Sequence, residues 1–600
     1  MAASSTASLP YHEPGIVTIL IQSSFLVVLN VTNVVLDNTV YCGLLGQIFI
    51  GVAWGTPGAK WLAESTEEVV VQLGYLGLIL LVYEGGLSTS FASLKANLLL
   101  SSAVAVTGIG LPIGLSFTLQ TLVGATPLQA FAAGAALCST SLGTTFTVLA
   151  TSGLTKSRLG VVLTSAAMMD DVVGLVMVQV ISNLGGSASS FSTITVIRPI
   201  SVSLAFAVLV PLACRLVIKP ATIFVNKHRE ANPAGAVQKL LSPHQTTFLI
   251  HAAILFGFVA GGTYAGTSNL FTAYLAGASI SWWDAEMPHL PVGRPGSTDV
   301  AQDSGQSAAV MTPNHASQGS ERAESVRSSW STHLSGLAIY ERYYHQAVEK
   351  ILKPLFFASI GFSIPISQMF TGSVIWRGIV YTILMLFAKL VCGLWLIRFS
   401  ISPYILENLK LRKLRLPSMP HLWGASTEKE NKSARKKDRN RMHSHAGTTE
   451  PESSEQQISQ VQTPERSENE VTDYHGPQPT PNVDRDISAP ATRHTSPNPL
   501  MPISLYPASI IGSAMVARGE IGFLISSIAE SKGIFSSTST SASSSHPDEI
   551  FLVVTWAIML CTIIGPLTVG LLVRRVKKLQ KTGENAVKGS RDVLGVWGVK

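Results

Sequence analysis

Thirteen stretches of mostly apolar residues, each about 17 to 25 long or shorter where broken, constrain this chain more than any other feature. An α-helix of about 20 residues spans the roughly 30 Å hydrocarbon core of a bilayer. Inside that core every backbone N–H and C=O must be bonded within the segment, so each stretch is expected to be a helix. They lie near 15–36, 40–56, 69–87, 98–121, 127–151, 159–182, 199–219, 246–265, 267–282, 350–369, 375–398, 504–530 and 549–573. The second and ninth are short. Only 13% of residues are charged, about half the share of soluble domains, which argues against a string of globular domains. The expected fold is an all-α polytopic membrane protein of about 13 transmembrane helices.

The connections carry an orientation signal. With the N-terminus outside, the inside connections hold Lys95, Lys156, Arg158, Lys219, Lys227, Arg229, Lys239 and the basic run from Lys410 to Arg441. The tail, with Arg574, Arg575, Lys577 and Lys578, also falls inside. Outside, Lys60, Arg377 and Lys532 are the main basic residues. The net charge of +7 is thus read as topology, and nucleic acid is not an expected partner. No basic residue precedes the first apolar stretch and no small-residue cleavage pattern follows it, so a retained first span is expected.

The organisation read from these features is spans one to nine in 1–284, a polar cytoplasmic loop at 285–345 and spans ten and eleven in 346–400. A second cytoplasmic loop covers 401–503, spans twelve and thirteen 504–574, and a cytoplasmic tail 575–600. Both loops lack helical or strand periodicity and are read as largely unstructured. Thr463, Thr480 and Ser496 each precede a proline, so phosphorylation and a plain solvated linker both remain open. The cysteines, Cys42, Cys138, Cys214, Cys392 and Cys561, are widely spaced in apolar stretches and read as small buried hydrophobes.

A charge at the bilayer centre costs roughly 2.5 to 3.5 kcal/mol on insertion scales, and three spans accept that cost. Span six holds Asp170 and Asp171 near its middle, with more than two apolar turns on each side. Neighbouring helical residues point about 100° apart, so the two carboxylates can share a cavity without sharing a partner. A carboxylate so placed can hold a proton or a cation, and that competition is the chemistry of exchange. Span eleven holds Lys389, about nine residues or roughly 13 Å from Arg398 at the span end. That is too deep for comfortable snorkelling, and Asp170 or Asp171 is the expected counter-ion. Span twelve holds Arg518 and Glu520 in a glycine-interrupted stretch, where they can pair with each other or with broken backbone. A structural role is the favoured reading of that pair.

Span five carries no charge, but its run Cys138-Ser-Thr-Ser-Leu-Gly-Thr-Thr145 is dense in hydroxyls. Such a run suggests an unwound segment lining a polar cavity. Spans five and twelve are the middle members of the triplets four to six and eleven to thirteen, which start on opposite sides of the membrane. Interrupted helices at matching positions of two inverted repeats point to a transporter's midplane binding site, formed where the two broken helices cross.

These residues resemble the monovalent cation:proton antiporters of the second type, in the sodium/proton exchanger superfamily. The resemblance rests on Met168-Met-Asp-Asp-Val-Val-Gly-Leu175, Arg518-Gly-Glu-Ile-Gly522, the break at 139–145 and Phe356-Phe-Ala-Ser-Ile-Gly-Phe362. Tyr41-Cys-Gly-Leu-Leu-Gly-Gln47 and Trp54-Gly-Thr-Pro57 are similar to fungal members. The likeness covers nearly all of the membrane part and neither polar loop. It implies a moving core against a more rigid dimerisation domain, and hence a homodimer. It implies that Asp171 binds the ion and the proton, that Asp170 pairs with Lys389, an arrangement associated with electrogenic exchange, and that Thr140 and Ser141 lie near the ion. Arg518 and Glu520 would stabilise that assembly. The long loop at 401–503 departs from better-known members. No large nucleotide-binding domain follows the last span, which counts against a nucleotide-gated potassium efflux system.

The expected function is exchange of Na+ or K+, with Li+ also admitted, for protons. The alternatives are a potassium/proton exchanger or efflux system of an internal membrane, and a cation channel or sensor. An intramembrane aspartyl protease needs two carboxylates facing one water, which adjacent helical positions do not give, so no enzymatic activity is expected. No Walker-type loop is present and no cofactor is expected. The partners are monovalent cations, protons and the lipid bilayer, and the membrane is the plasma membrane or a vacuolar or endosomal one.

Overall fold

The computed structural model describes residues 11, 13–40, 42–141, 154, 157–185, 193–232, 235, 240, 243–286, 335–396, 505–536, 549–586, 594 and 597–598. All belong to one compact unit, 1–415 with 500–600. The loop at 401–503, with Thr463, Thr480 and Ser496, lies outside the described residues, as do 142–145 of the hydroxyl-rich break.

Every regular element among the described residues is helical. Nine helices there are long and apolar enough to cross a membrane. The helix Gly43–Trp54 is apolar but shorter. The helices are α1 Ile16–Val40, α2 Gly43–Trp54, α3 Glu64–Leu87, α4 Phe91–Ser116, α5 Pro127–Ala136 and α6 Arg158–Leu184. Next come α7 Thr193–Ala213, α8 His244–Ala265, α9 Asn269–Glu286, α10 Gly336–Tyr343 and α11 Lys353–Phe362. The last four are α12 Gly372–Leu390, α13 Tyr506–Val516, α14 Glu520–Ser531 and α15 Glu549–Ala586. A π-helical turn at Cys214–Ile218 carries α7 onward into a helix over Lys219–Ala231.

The helices pack in two groups. In the first, α1, α2, α3, α8, α9, α10 and α11 surround one another. In the second, α4, α5, α6, α12, α13, α14 and α15 do so. Close backbone approach knits the first group. A Cβ on Gly361 of α11 would collide with the Ile48 carbonyl of α2, and one on Gly277 of α9 with the Tyr83 carbonyl of α3. Small residues at such crossings let helices gain dispersion contact where hydrophobic driving force is absent. By contrast α7 and the π-helical turn after it hold Leu204, Val208 and Leu216 outward, each about two-thirds exposed, as a lipid-facing helix would.

The polar segment 285–345, read as largely unstructured, ends in α10. Ser335 caps it by accepting the Ala338 N–H, and Asp284 accepts the Gly336 N–H. Ile339 and Tyr340 are buried, and Tyr340 packs in the apolar cluster shared with α3, α8 and α9. One turn of apolar spacing in a polar surrounding is too brief a signal to stand out in sequence.

Candidate functional site

Two interrupted helices meet in the second packing group. α5 starts on a capping box, with Pro127 in its first turn and the Thr126 hydroxyl accepting the Gln129 N–H. It ends at Ala136, and the chain runs on unwound through Ser139, Thr140 and Ser141. α13 ends at Val516, Ala517 turns out of helical geometry, and α14 begins at Glu520. Unwinding frees backbone groups that lipid could not satisfy. The two breaks satisfy one another: the Ser141 N–H donates to the Ala517 carbonyl at 2.9 Å, and the Arg518 guanidinium donates to the Ser139 carbonyl. Of the two options open in sequence, Arg518 takes the broken backbone, and no Arg518–Glu520 ion pair occurs among the described residues.

Lys389 of α12 enters this crossing fully buried. Its ammonium donates to the Cys138 carbonyl at 2.7 Å, to Thr140 Oγ1 at 3.0 Å and to Asp170 Oδ2 at 2.8 Å. Three protons thus meet three acceptors, as a buried ammonium requires. The cation sits just past the C-terminal end of α5, and Glu520 opens α14, so each charge faces the helix end that favours it. The Thr140 hydroxyl lies 2.9 Å from Asp170 Oδ2 and 3.2 Å from the Met515 carbonyl. Asp170 Oδ1 is buried with no partner among the described residues.

Asp171, one position on, is only half-buried and makes no hydrogen bond to a described residue. Glu520 and Asp170 repel it and Lys389 attracts it. The Ser141 hydroxyl faces the Glu520 carboxylate. All seven residues singled out in sequence therefore fall at one crossing: Asp170, Asp171, Thr140, Ser141, Lys389, Arg518 and Glu520.

Sequence reasoning missed three contributors. The Cys138 and Met515 carbonyls have no signature because backbone acts there. Gly108 of α4 is the third: a Cβ on it would lie 3.2 Å from Lys389 Nζ, 3.2 Å from Met515 Cε and 3.3 Å from Asp170 Oδ2. Its run Thr107-Gly-Ile-Gly110 inside an apolar span was the available signal. Cys138, Cys392 and Cys561 also sit within electrostatic reach of Lys389. No group of three or more metal-ligating side chains forms among the described residues.

Buried charges where two broken helices cross are, in general, a feature of the midplane sites of secondary transporters. Residues 40–290, which hold Asp170, Asp171, Thr140 and Ser141, match the transmembrane model of the sodium/hydrogen exchanger family. The chain is 26% identical over 241 residues to the Na(+)/H(+)-K(+) antiporter GerN of Bacillus cereus, covering 40% of this chain and 57% of that one. It is 26% identical over 268 residues to the probable Na(+)/H(+) antiporter GerT of the same organism, covering 44% of this chain and 66% of that one. Over 143 residues it is 33% identical to the high-affinity Na(+)/H(+) antiporter NhaS3 of Synechocystis, covering 24% and 31%. The chain thus spans less than two thirds of the length of each of these relatives. A solved structure of the sodium proton antiporter MjNhaP1 of Methanocaldococcus jannaschii superposes with a TM-score of 0.47 at 10% identity, covering 93% of this chain and 99% of that one.

Proposed function

We propose that this protein is a secondary antiporter that exchanges a monovalent cation for protons at Asp171. The observation that carries this reading is the unequal commitment of the two carboxylates. Asp170 is neutralised by Lys389, whereas Asp171 is half-buried, has no hydrogen-bond donor among the described residues and faces a second negative group, Glu520. That side of the crossing is short of positive charge, and low dielectric makes the shortage costly. A proton or a desolvated cation removes it, and the two compete for one carboxylate. The hydroxyls of Thr140 and Ser141 and the carbonyls of the breaks supply the neutral oxygens that sodium, lithium and potassium accept.

Alternating access then carries either species across. α6, which bears both aspartates, packs with α4 and α14 of the second group. That group is the moving core, and the first is the more rigid dimerisation domain. Thirteen crossings with the N-terminus outside follow from the basic residues of the connections. The protein functions as a homodimer in the plasma membrane or a vacuolar or endosomal membrane. GerN's name joins sodium and potassium, and both are candidate substrates here.

The test is purified protein in liposomes with an acidic interior, followed by internal pH on adding sodium, potassium or lithium. Cation-dependent alkalinisation is expected, and the order of effectiveness identifies the substrate. Monodisperse protein that moves no protons in response to any of the three would refute exchange.

A further inference from the structure

The contact between the two packing groups at α11 and α14 contains a cation the site above does not use. Ser363, just past α11, lies 3.3 Å from Ser527 of α14, hydroxyl to hydroxyl. In the proposed topology both helices follow a cytoplasmic loop, so both run outward from the cytoplasmic side. Seven residues back on α14 stands Glu520, and ten residues back on α11 stands Lys353. At about 1.5 Å per residue, Lys353 lies roughly one helical turn beyond Glu520, toward the end of the bundle where α11 begins.

Lys353 Nζ donates to both carboxylate oxygens of Glu349, at 2.9 and 3.1 Å. The side chains are 29% and 34% exposed, so the pair is not sealed inside the bundle. The same ammonium attracts Glu520 and also Glu84 of α3. Glu84 in turn lies 3.8 Å from His345 Nδ1. Between solvent and Asp171 the charges therefore alternate: Glu349 and Glu84, then Lys353, then Glu520. A lysine head is a compact monovalent charge on a flexible four-carbon stem, the same charge as the proposed cargo.

We propose that Lys353 is a tethered competitor for the transported cation. When Asp171 and Glu520 hold no cation, the ammonium leans toward them and offsets their charge. An arriving cation drives it back onto Glu349. Lys353 thus sets the apparent cation affinity from the α11 side without being a ligand. This rests on the antiporter reading and adds to it a residue that tunes affinity.

Apparent KM and maximal rate for sodium and potassium, measured in proteoliposomes for wild type, Lys353→Gln and Glu349→Gln, test this. Removing the competing charge is expected to lower KM roughly three- to tenfold, the scale of a partly screened charge pair. Glu349→Gln frees the ammonium and is expected to raise KM. A folding defect lowers the maximal rate without producing opposed KM shifts. Lys353→Gln with an unchanged or raised KM, or both variants shifting KM the same way, overturns the inference. A wild type with no exchange overturns the antiporter reading itself, and the two failures are told apart by the wild-type trace.

Discussion

Replacing Lys389 with methionine removes the ammonium while nearly keeping its volume. In the wild type the charge pair is 2.8 Å apart with both side chains fully buried. At an effective dielectric of about 20, the gross attraction is about 6 kcal/mol, most of it offset by desolvation. Breaking such a pair costs about 3–5 kcal/mol, because Asp170 is left charged and buried without its partner. Lys389→Met also strands the Cys138 carbonyl and leaves the Thr140 hydroxyl without its donor. Replacing both partners removes the uncompensated charge, so Asp170→Asn with Lys389→Met is expected to lose less than the lysine variant alone. Thermal inactivation half-lives in detergent, read as the surviving monodisperse fraction, report the difference. A double variant as unstable as the sum of the two single ones would refute the pairing as the source of stability.

Two further outcomes follow from the same geometry. Gly108→Val puts a branched side chain where even a Cβ would be 3.2 Å from Lys389 Nζ, so it is expected to cost about 1–3 kcal/mol and to cut the exchange rate, measured by thermal stability and proton flux. All five cysteines are free and buried, so native protein is expected to take up maleimide slowly and denatured protein to take up five equivalents by mass spectrometry.

Much of the site was legible because charge is conspicuous in apolar sequence. Asp170, Asp171 and Lys389 stand out as expensive residues that must find partners, and the structure pairs Lys389 with Asp170. The hydroxyl run of span five and the glycine of Arg518-Gly-Glu520 marked the two breaks. What stayed hidden acts through backbone or shape. The Cys138 and Met515 carbonyls bind because the helices stop where they do, and Gly108 matters for a side chain it lacks. The cysteines, read from their spacing as small buried hydrophobes, are buried and free, and Cys138, Cys392 and Cys561 lie within electrostatic reach of the buried lysine. α10 was missed because eight helical residues at the end of a polar segment carry too few apolar positions to declare a period.

The central claim is that cation and proton compete for Asp171. The most direct measurement is proton release from detergent-solubilised protein in weakly buffered solution when sodium or potassium is added, with Asp171→Asn as the comparison. Wild type is expected to release protons in a saturable way as cation binds, and Asp171→Asn to release none while remaining monodisperse. Equal release from both proteins, or cation binding by the wild type with no release, would contradict the account.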